Sequence, residues 1–150
     1  MRQTPLSLKG RALRLLSGRE HTRAELERKL HGVEEQPGQL ALVLDELQAK
    51  GFISEQRVIE SVLHRRAVRL GGARIRQELQ AKGVAPEAVQ QAVAELRPSE
   101  LARAREVWLR KFGAPPQDAT ERARQARFMA ARGFEGEVVR RVVAGLDDAD

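Results

Sequence analysis

The sequence holds no cysteine and no tyrosine, a single tryptophan, and only 3 % aromatic residues. Without thiols there can be no disulfide, no thiolate metal site and no cysteine nucleophile, and nothing points to an oxidising compartment. With so few rings, any core has to be built from Leu, Val, Ile and Ala, which dominate a hydrophobic fraction of 41 %. That composition favours helices. Each apolar stripe removes modest area from water, at roughly 25 cal/mol per Å², so short segments have to be stabilised by stacking on one another. No apolar run approaches the length of a membrane span, and the opening residues MRQTPLSLKGRALRLL have no continuous apolar core followed by a small-residue cleavage site. The expected location is the cytoplasm, with no membrane partner.

Lysine is scarce as well. Of 27 basic residues only Lys9, Lys29, Lys50, Lys82 and Lys111 are lysine, and with 21 acidic residues the formal charge is +6. An arginine-rich surface suits planar, bidentate contact with phosphate or carboxylate, and a positive balance of this size is compatible with a nucleic-acid footprint. The charge is segregated along the chain. Residues 1–30 carry eight basic and three acidic side chains, whereas residues 31–54 carry one basic and four acidic ones.

The apolar residues repeat at helical spacing throughout, and no strand pattern survives. Leu8, Ala12, Leu15 and Leu16 form a stripe that Ser17-Gly18 ends. Thr22 with Glu25 is a capping box opening a helix through Leu26 and Leu30 to Gly32, and after Gln36-Pro37-Gly38 a third helix carries Leu40, Val43, Leu44 and Leu47 to Gly51. The plan then recurs. Ser54 caps a helix whose apolar arc runs through Val58, Ile59, Val62, Leu63, Ala67 and Leu70; Gly71-Gly72 reads as a hinge; Ile75 and Leu79 mark a helix ending at Lys82-Gly83; and Pro86 opens a helix through Val89, Val93 and Leu96. In the last third, Leu101, Ala104, Trp108, Leu109 and Phe112 form a stripe. Beyond the Pro115-Pro116 loop, a helix from about Asp118 to Arg132 has Ala123, Ala126, Phe128 and Ala130 or Ala131 inward, and Val138, Val139, Val142 and Val143 mark one more helix.

Gly32, Gly83 and Gly133 each follow a middle helix and precede an apolar residue, at intervals of 51 and 50 positions, as expected for left-handed helix stops in tandem copies of one unit. The expectation is an all-α fold of three tandem three-helix repeats, stacked as a short curved, solenoid-like array. Its parts are a disordered lead over 1–7, repeats over 8–53, 54–97 and 98–146, and an acidic tail over 147–150.

Candidate chemistry is thin. His21, His31 and His64 form no metal-binding pair and read as surface or helix-end residues, Gly71-Gly72 lacks the flanks of a phosphate loop, and Ser17, Ser54, Ser61 and Ser99 have no histidine and acid arranged beside them. No catalytic, cofactor-binding or metal-ligating residue is expected. The basic residues of the middle repeat stand out instead: Arg57, Arg65, Arg69, Arg74, Arg76 and Lys82 lie among few carboxylates and form the candidate partner-binding set. Arg66 falls by helical phase in the apolar arc, where an unpaired charge is costly, so it is expected to reach out from the helix end or pair with Asp45 or Glu46. Trp108 and Phe112 read as core. On residues alone, the simplest function is a stand-alone DNA-binding module of helix-turn-helix type, with a helix over about 73–82 in a major groove.

Several segments together resemble the RecX family, regulators of the bacterial recombinase RecA. They are Glu25-Leu26 with Lys29-Leu30; Gly51-Phe52-Ile53-Ser54-Glu55 followed by Arg57; Gly72 with Arg74-Ile75-Arg76-Gln77-Glu78-Leu79 and Lys82-Gly83; Lys111-Phe112-Gly113; and Arg127-Phe128 with Arg132-Gly133-Phe134. These span residues 10–145 in the family's order. Two positions depart from its pattern: Ser54-Glu55 stands for the usual acidic pair, and Val58 for an aromatic. The resemblance implies a monomer of three three-helix repeats, without enzymatic activity or cofactor, that binds the RecA filament on single-stranded DNA and limits its ATPase, strand exchange or extension. Some members also contact DNA directly, and that contact stays open here.

Overall fold

The structure, a computed structural model, describes residues 6–145; the acidic tail over 147–150 and most of the 1–7 lead lie outside them. Among the described residues there are nine α-helices and no strand: α1 Leu8–Gly18, α2 Arg23–Leu30, α3 Gln39–Ala49, α4 Glu55–Arg66, α5 Gly72–Ala81, α6 Pro86–Leu96, α7 Glu100–Lys111, α8 Ala119–Ala131 and α9 Gly136–Val143. They fall into two compact units. One comprises the chain to Ser61 together with Ala81–Val84, and the other Val62–Gln80 together with the chain from Ala85.

In the first unit, local chemistry sets the helix starts. The Ser7 hydroxyl accepts from the Gly10 N–H at 3.0 Å, and Thr22 and Glu25 form the expected capping box. Gly38, at φ 87°, supplies the left-handed turn that launches α3, and the Ser54 hydroxyl caps α4 by accepting from the Arg57 N–H at 3.2 Å. Leu26, Leu44 and Leu47 are fully buried, with Leu8, Ala12, Leu30, Leu40 and Ile53 around them. Gly32 departs from the repeat pattern. It is not left-handed but lies inside a 3-10 turn, His31–Val33, that continues α2 and is closed by the Glu34 N–H on the His31 carbonyl.

In the second unit the core gathers Ala104, Trp108, Met129, Phe134, Val139, Val142 and Val143. Pro86 opens α6 at its first turn, and the Asp118 carboxylate caps α8 through the Glu121 N–H at 2.7 Å. The inward face of α8 is not the alanine stripe expected. Gln125 and Met129 are buried while Ala123, Ala130 and Ala131 are exposed, because Gln125 accepts from Trp108 Nε1 at 2.9 Å and donates to the Ala114 carbonyl at 3.2 Å. An amide satisfied on both sides can occupy a core position that its polarity argues against. Leu109 is also exposed, at 46 %. Arg103 ties helix ends together, its guanidinium donating to the Ala67, Leu70 and Leu96 carbonyls.

Each unit contains one docking of a glycine helix stop on the first turn of an earlier middle helix. In the first, Thr22 Oγ1 donates to the Lys82 carbonyl, Arg28 donates to the Ala81 carbonyl at 2.9 Å, and Gly83, at φ 82°, sits where a Cβ would come within 2.5 Å of the Ala24 Cβ. In the second, the Gly71 N–H donates to the Arg132 carbonyl at 2.8 Å, Ala73 N–H to the Gly133 carbonyl at 3.1 Å, and Arg74 Nη1 to the Ala131 carbonyl at 2.8 Å. Gly71-Gly72 is therefore not an open hinge. Both glycines are buried, Gly72 begins α5, and its N–H is capped by the buried Glu100 carboxylate at 3.0 Å.

Candidate interface: an arginine-lined groove

The six basic residues singled out in the sequence are divided by the fold. Arg57 and Lys82 belong to the first unit; Arg65, Arg69, Arg74 and Arg76 belong to the second. Arg57 is held by Glu20 at 2.9 Å and by the Gly51 carbonyl at 2.7 Å. Lys82 lies 3.7 Å from Glu25 with only 15 % of its side chain exposed. Arg65 also has an interaction partner, and Arg74 is engaged at the end of α8. Arg76 is exposed beside a small hollow that Arg97, Glu100 and Glu135 share.

Arg69 and Arg74 come together with two arginines outside that set. A groove of about 430 Å³ is lined by Arg66 and Arg69 from the end of α4 and the turn after it, Arg74 on α5, Arg132 at the end of α8, and the apolar Leu70 and Phe128. Arg66 is not in an apolar arc. Its side chain is 46 % exposed, and its partner is Glu78 on α5, at 3.3 Å, rather than Asp45 or Glu46. The apolar phase of α4 is lost at its last turn, where the chain leaves the helix.

The aromatic at this groove organises charge. The Arg132 guanidinium lies 4.9 Å from the Phe128 ring centroid and Lys111 Nζ 5.2 Å from it, while Phe112 meets the same ring edge-on at 5.4 Å. Cations over a half-buried ring are attracted by its quadrupole, so Phe128 fixes where the Arg132 charge is presented. Arg132, Lys111 and Phe128 lie outside the candidate set, although the family resemblance runs through all three. A signal for Arg132 was present, since it stands before Gly133 as Lys82 stands before Gly83, but Arg132-Gly133 reads on its own only as a helix stop.

A second charged cluster lies in the first unit and is structural. Burial pushes the Glu25 carboxyl up, but the Arg19 hydrogen bond at 2.8 Å, the Thr22 N–H and the Lys82 and Arg19 charges outweigh it and hold its pKa at about 2, against an ordinary 4.5. His21, read from the sequence as a surface or helix-end residue, does stand at a helix end, just before the Thr22 cap of α2, but is buried, with Nδ1 3.0 Å from the Arg19 carbonyl and Nε2 3.0 Å from Lys29 Nζ. A carbonyl cannot donate and an ammonium cannot accept, so both contacts are met by the neutral ring protonated at Nδ1. Burial is the main cause that lowers its pKa. Among the described residues no group of three or more His, Asp or Glu could hold a metal ion, and no helix is long and apolar enough to cross a membrane.

Three successive groups of three helices, two of them joined to an earlier one through a glycine stop, define a tandem three-helix-domain protein. Residues 9–34, 54–93 and 99–143 match the first, second and third three-helix domains of RecX. The chain is 56 % identical to Regulatory protein RecX of Leptothrix cholodnii over 95 % of its own length and 90 % of that protein, and 50 % identical to Regulatory protein RecX of Ralstonia nicotianae over 97 % and 94 %. Its fold is that of the RecX crystal structure from Lactobacillus salivarius, with a TM-score of 0.74 at 17 % identity, covering 93 % of this chain and 94 % of that one. The chain belongs to the RecX family, whose members are regulatory proteins and not enzymes.

Proposed function

We propose that this chain modulates RecA by binding its filament on single-stranded DNA and limiting ATP hydrolysis, strand exchange or filament extension. The observation that carries the reading is the 56 % identity to a RecX regulatory protein over nearly the whole chain. Charge supports it. Both compact units have exposed basic side chains, Arg11 and Arg14 in the first and Arg69 and Arg76 in the second, so that individually weak ion pairs can add up over an extended, repetitive partner. On this reading the chain acts as a cytoplasmic monomer. The alternative, a stand-alone helix-turn-helix module, needs an accessible first turn on a recognition helix. The backbone at the first turn of α5 is instead hydrogen-bonded to the Arg132 and Gly133 carbonyls, with Gly71 and Gly72 buried, which favours the filament reading.

Purified protein, at substoichiometric to equal amounts, is expected to slow RecA-dependent ATP hydrolysis on single-stranded DNA at low salt. An unchanged rate together with unchanged filament assembly rejects the reading. Arg76→Glu is expected to weaken the effect with helicity intact, whereas Arg74→Glu also loosens the end of α8, because Arg74 caps the Ala131 carbonyl.

A further inference from the structure

Four guanidinium groups, those of Arg66, Arg69, Arg74 and Arg132, line one groove within a single compact unit, and the Glu78 carboxylate is bound to Arg66 at 3.3 Å. Grouping like charges raises the free energy of the unbound protein, and an anion that bridges them relieves it. Arg74 is partly committed to the Ala131 carbonyl and Arg66 to Glu78. Arg69 is exposed in the turn after α4, and Arg132 is held by the Phe128 ring, a contact that leaves its N–H donors available.

We infer that this groove is a phosphodiester site for a single nucleic-acid strand, in which Glu78 acts as an internal competitor for Arg66. The floor decides the ligand class. Leu70 and Phe128 lie among the four arginines, so the groove alternates charge with apolar and aromatic surface. A strand offers the complementary alternation, a phosphate and then a base whose π-face can stack on the Arg132 guanidinium, the Phe128 ring being already covered by Arg132 and Lys111, whereas an acidic peptide offers carboxylates with no π-face to stack. The groove is concave, and it suits an unpaired strand better than the convex face of a duplex. Glu78 then tunes affinity: its carboxylate occupies Arg66 where a phosphate would sit, and a bound strand has to displace it. The inference rests on the proposed filament reading and assigns the strand contact to this groove, leaving the RecA contacts to other surfaces.

The test is the anisotropy of a fluorescent oligo-dT titrated with the full chain, without RecA, over a range of salt. Arg69→Ala with Arg132→Ala is expected to weaken binding about tenfold or more at low salt and to reduce the log–log salt slope by about 1.4, at roughly 0.7 per phosphate contact on a single strand. Glu78→Gln is expected to tighten binding several-fold, a gain that misfolding cannot produce. Binding unchanged in both variants overturns the inference, as does oligo-glutamate competing as well as oligo-dT of equal charge. Slowed RecA ATP hydrolysis by a chain whose oligo-dT binding ignores these residues rejects the groove and keeps the filament reading. Groove-dependent oligo-dT binding with no effect on RecA does the reverse.

Discussion

Gly71 lies directly against Gly133. A Cβ built on Gly71 would come within 2.5 Å of the Gly133 carbonyl carbon and the Phe134 nitrogen, and the backbones there are joined by the Gly71 N–H on the Arg132 carbonyl and the Ala73 N–H on the Gly133 carbonyl. Two segments some sixty positions apart in sequence are thus held main chain to main chain, at a spacing only an absent side chain allows.

Gly71→Ala is therefore expected to destabilise the fold by about 1–3 kcal/mol, since backbone cannot move aside as a flexible side chain would. Gly32→Ala is the contrast. It has open space around it and no left-handed backbone, so it should be neutral or stabilise by about 0.4–1 kcal/mol. Urea unfolding followed by circular dichroism checks both; equal midpoints for the two variants would contradict the close approach at Gly71.

Gln125→Leu is expected to cost about 1–3 kcal/mol although it replaces a buried polar side chain with an apolar one. It leaves the buried Trp108 indole N–H and the Ala114 carbonyl without their partner. Trp108 is the only tryptophan, so its fluorescence reports on this site without interference. A variant as stable as the parent, with an unshifted emission maximum, would show that water replaces the amide at no cost.

Stability should fall toward acid in two stages, both originating in the first unit. The His21 pKa is lowered below 6.5 in the fold, so its contribution is complete above 6.5 and is lost as pH falls through the lowered value, when the protonated ring meets Lys29 and Arg19. Glu25, at about 2 against an ordinary 4.5, contributes fully above 4.5, and that part is lost as pH falls through about 2. In thermal melts taken against pH, Glu25→Gln should remove the lower stage and leave the upper one. A variant retaining both would place the lower stage elsewhere, Glu46 being the other carboxylate held near 2, by Lys9 and Lys50.

Much of the fold was legible because its determinants are local. The Thr22–Glu25 capping box, Ser54 as a cap, Pro86 at a first turn and the left-handed stops at Gly83 and Gly133 each involve residues within one helical turn, so spacing alone exposes them. Periodicity likewise placed Leu26, Leu44, Leu47, Ile75 and Leu79 inside. It failed on α8, where Gln125 is buried through partners on other segments, and at Gly32, where the helix tightens instead of stopping.

What a charge does was decided by tertiary structure. In sequence, Arg57, Lys82, Arg69 and Arg132 are equivalent cations. The fold gives Arg57 to Glu20 and Lys82 to Glu25, from segments remote in the chain, and it brings Arg132 on Phe128 to the groove that Arg69 lines. An ion pair or a cation over a ring depends on which side chain arrives within a few ångströms, and helical spacing carries no record of that across separate segments. The sequence by itself determined helices, stops and a family; packing determined that Gly71 is a contact and not a hinge, and which arginines line one groove.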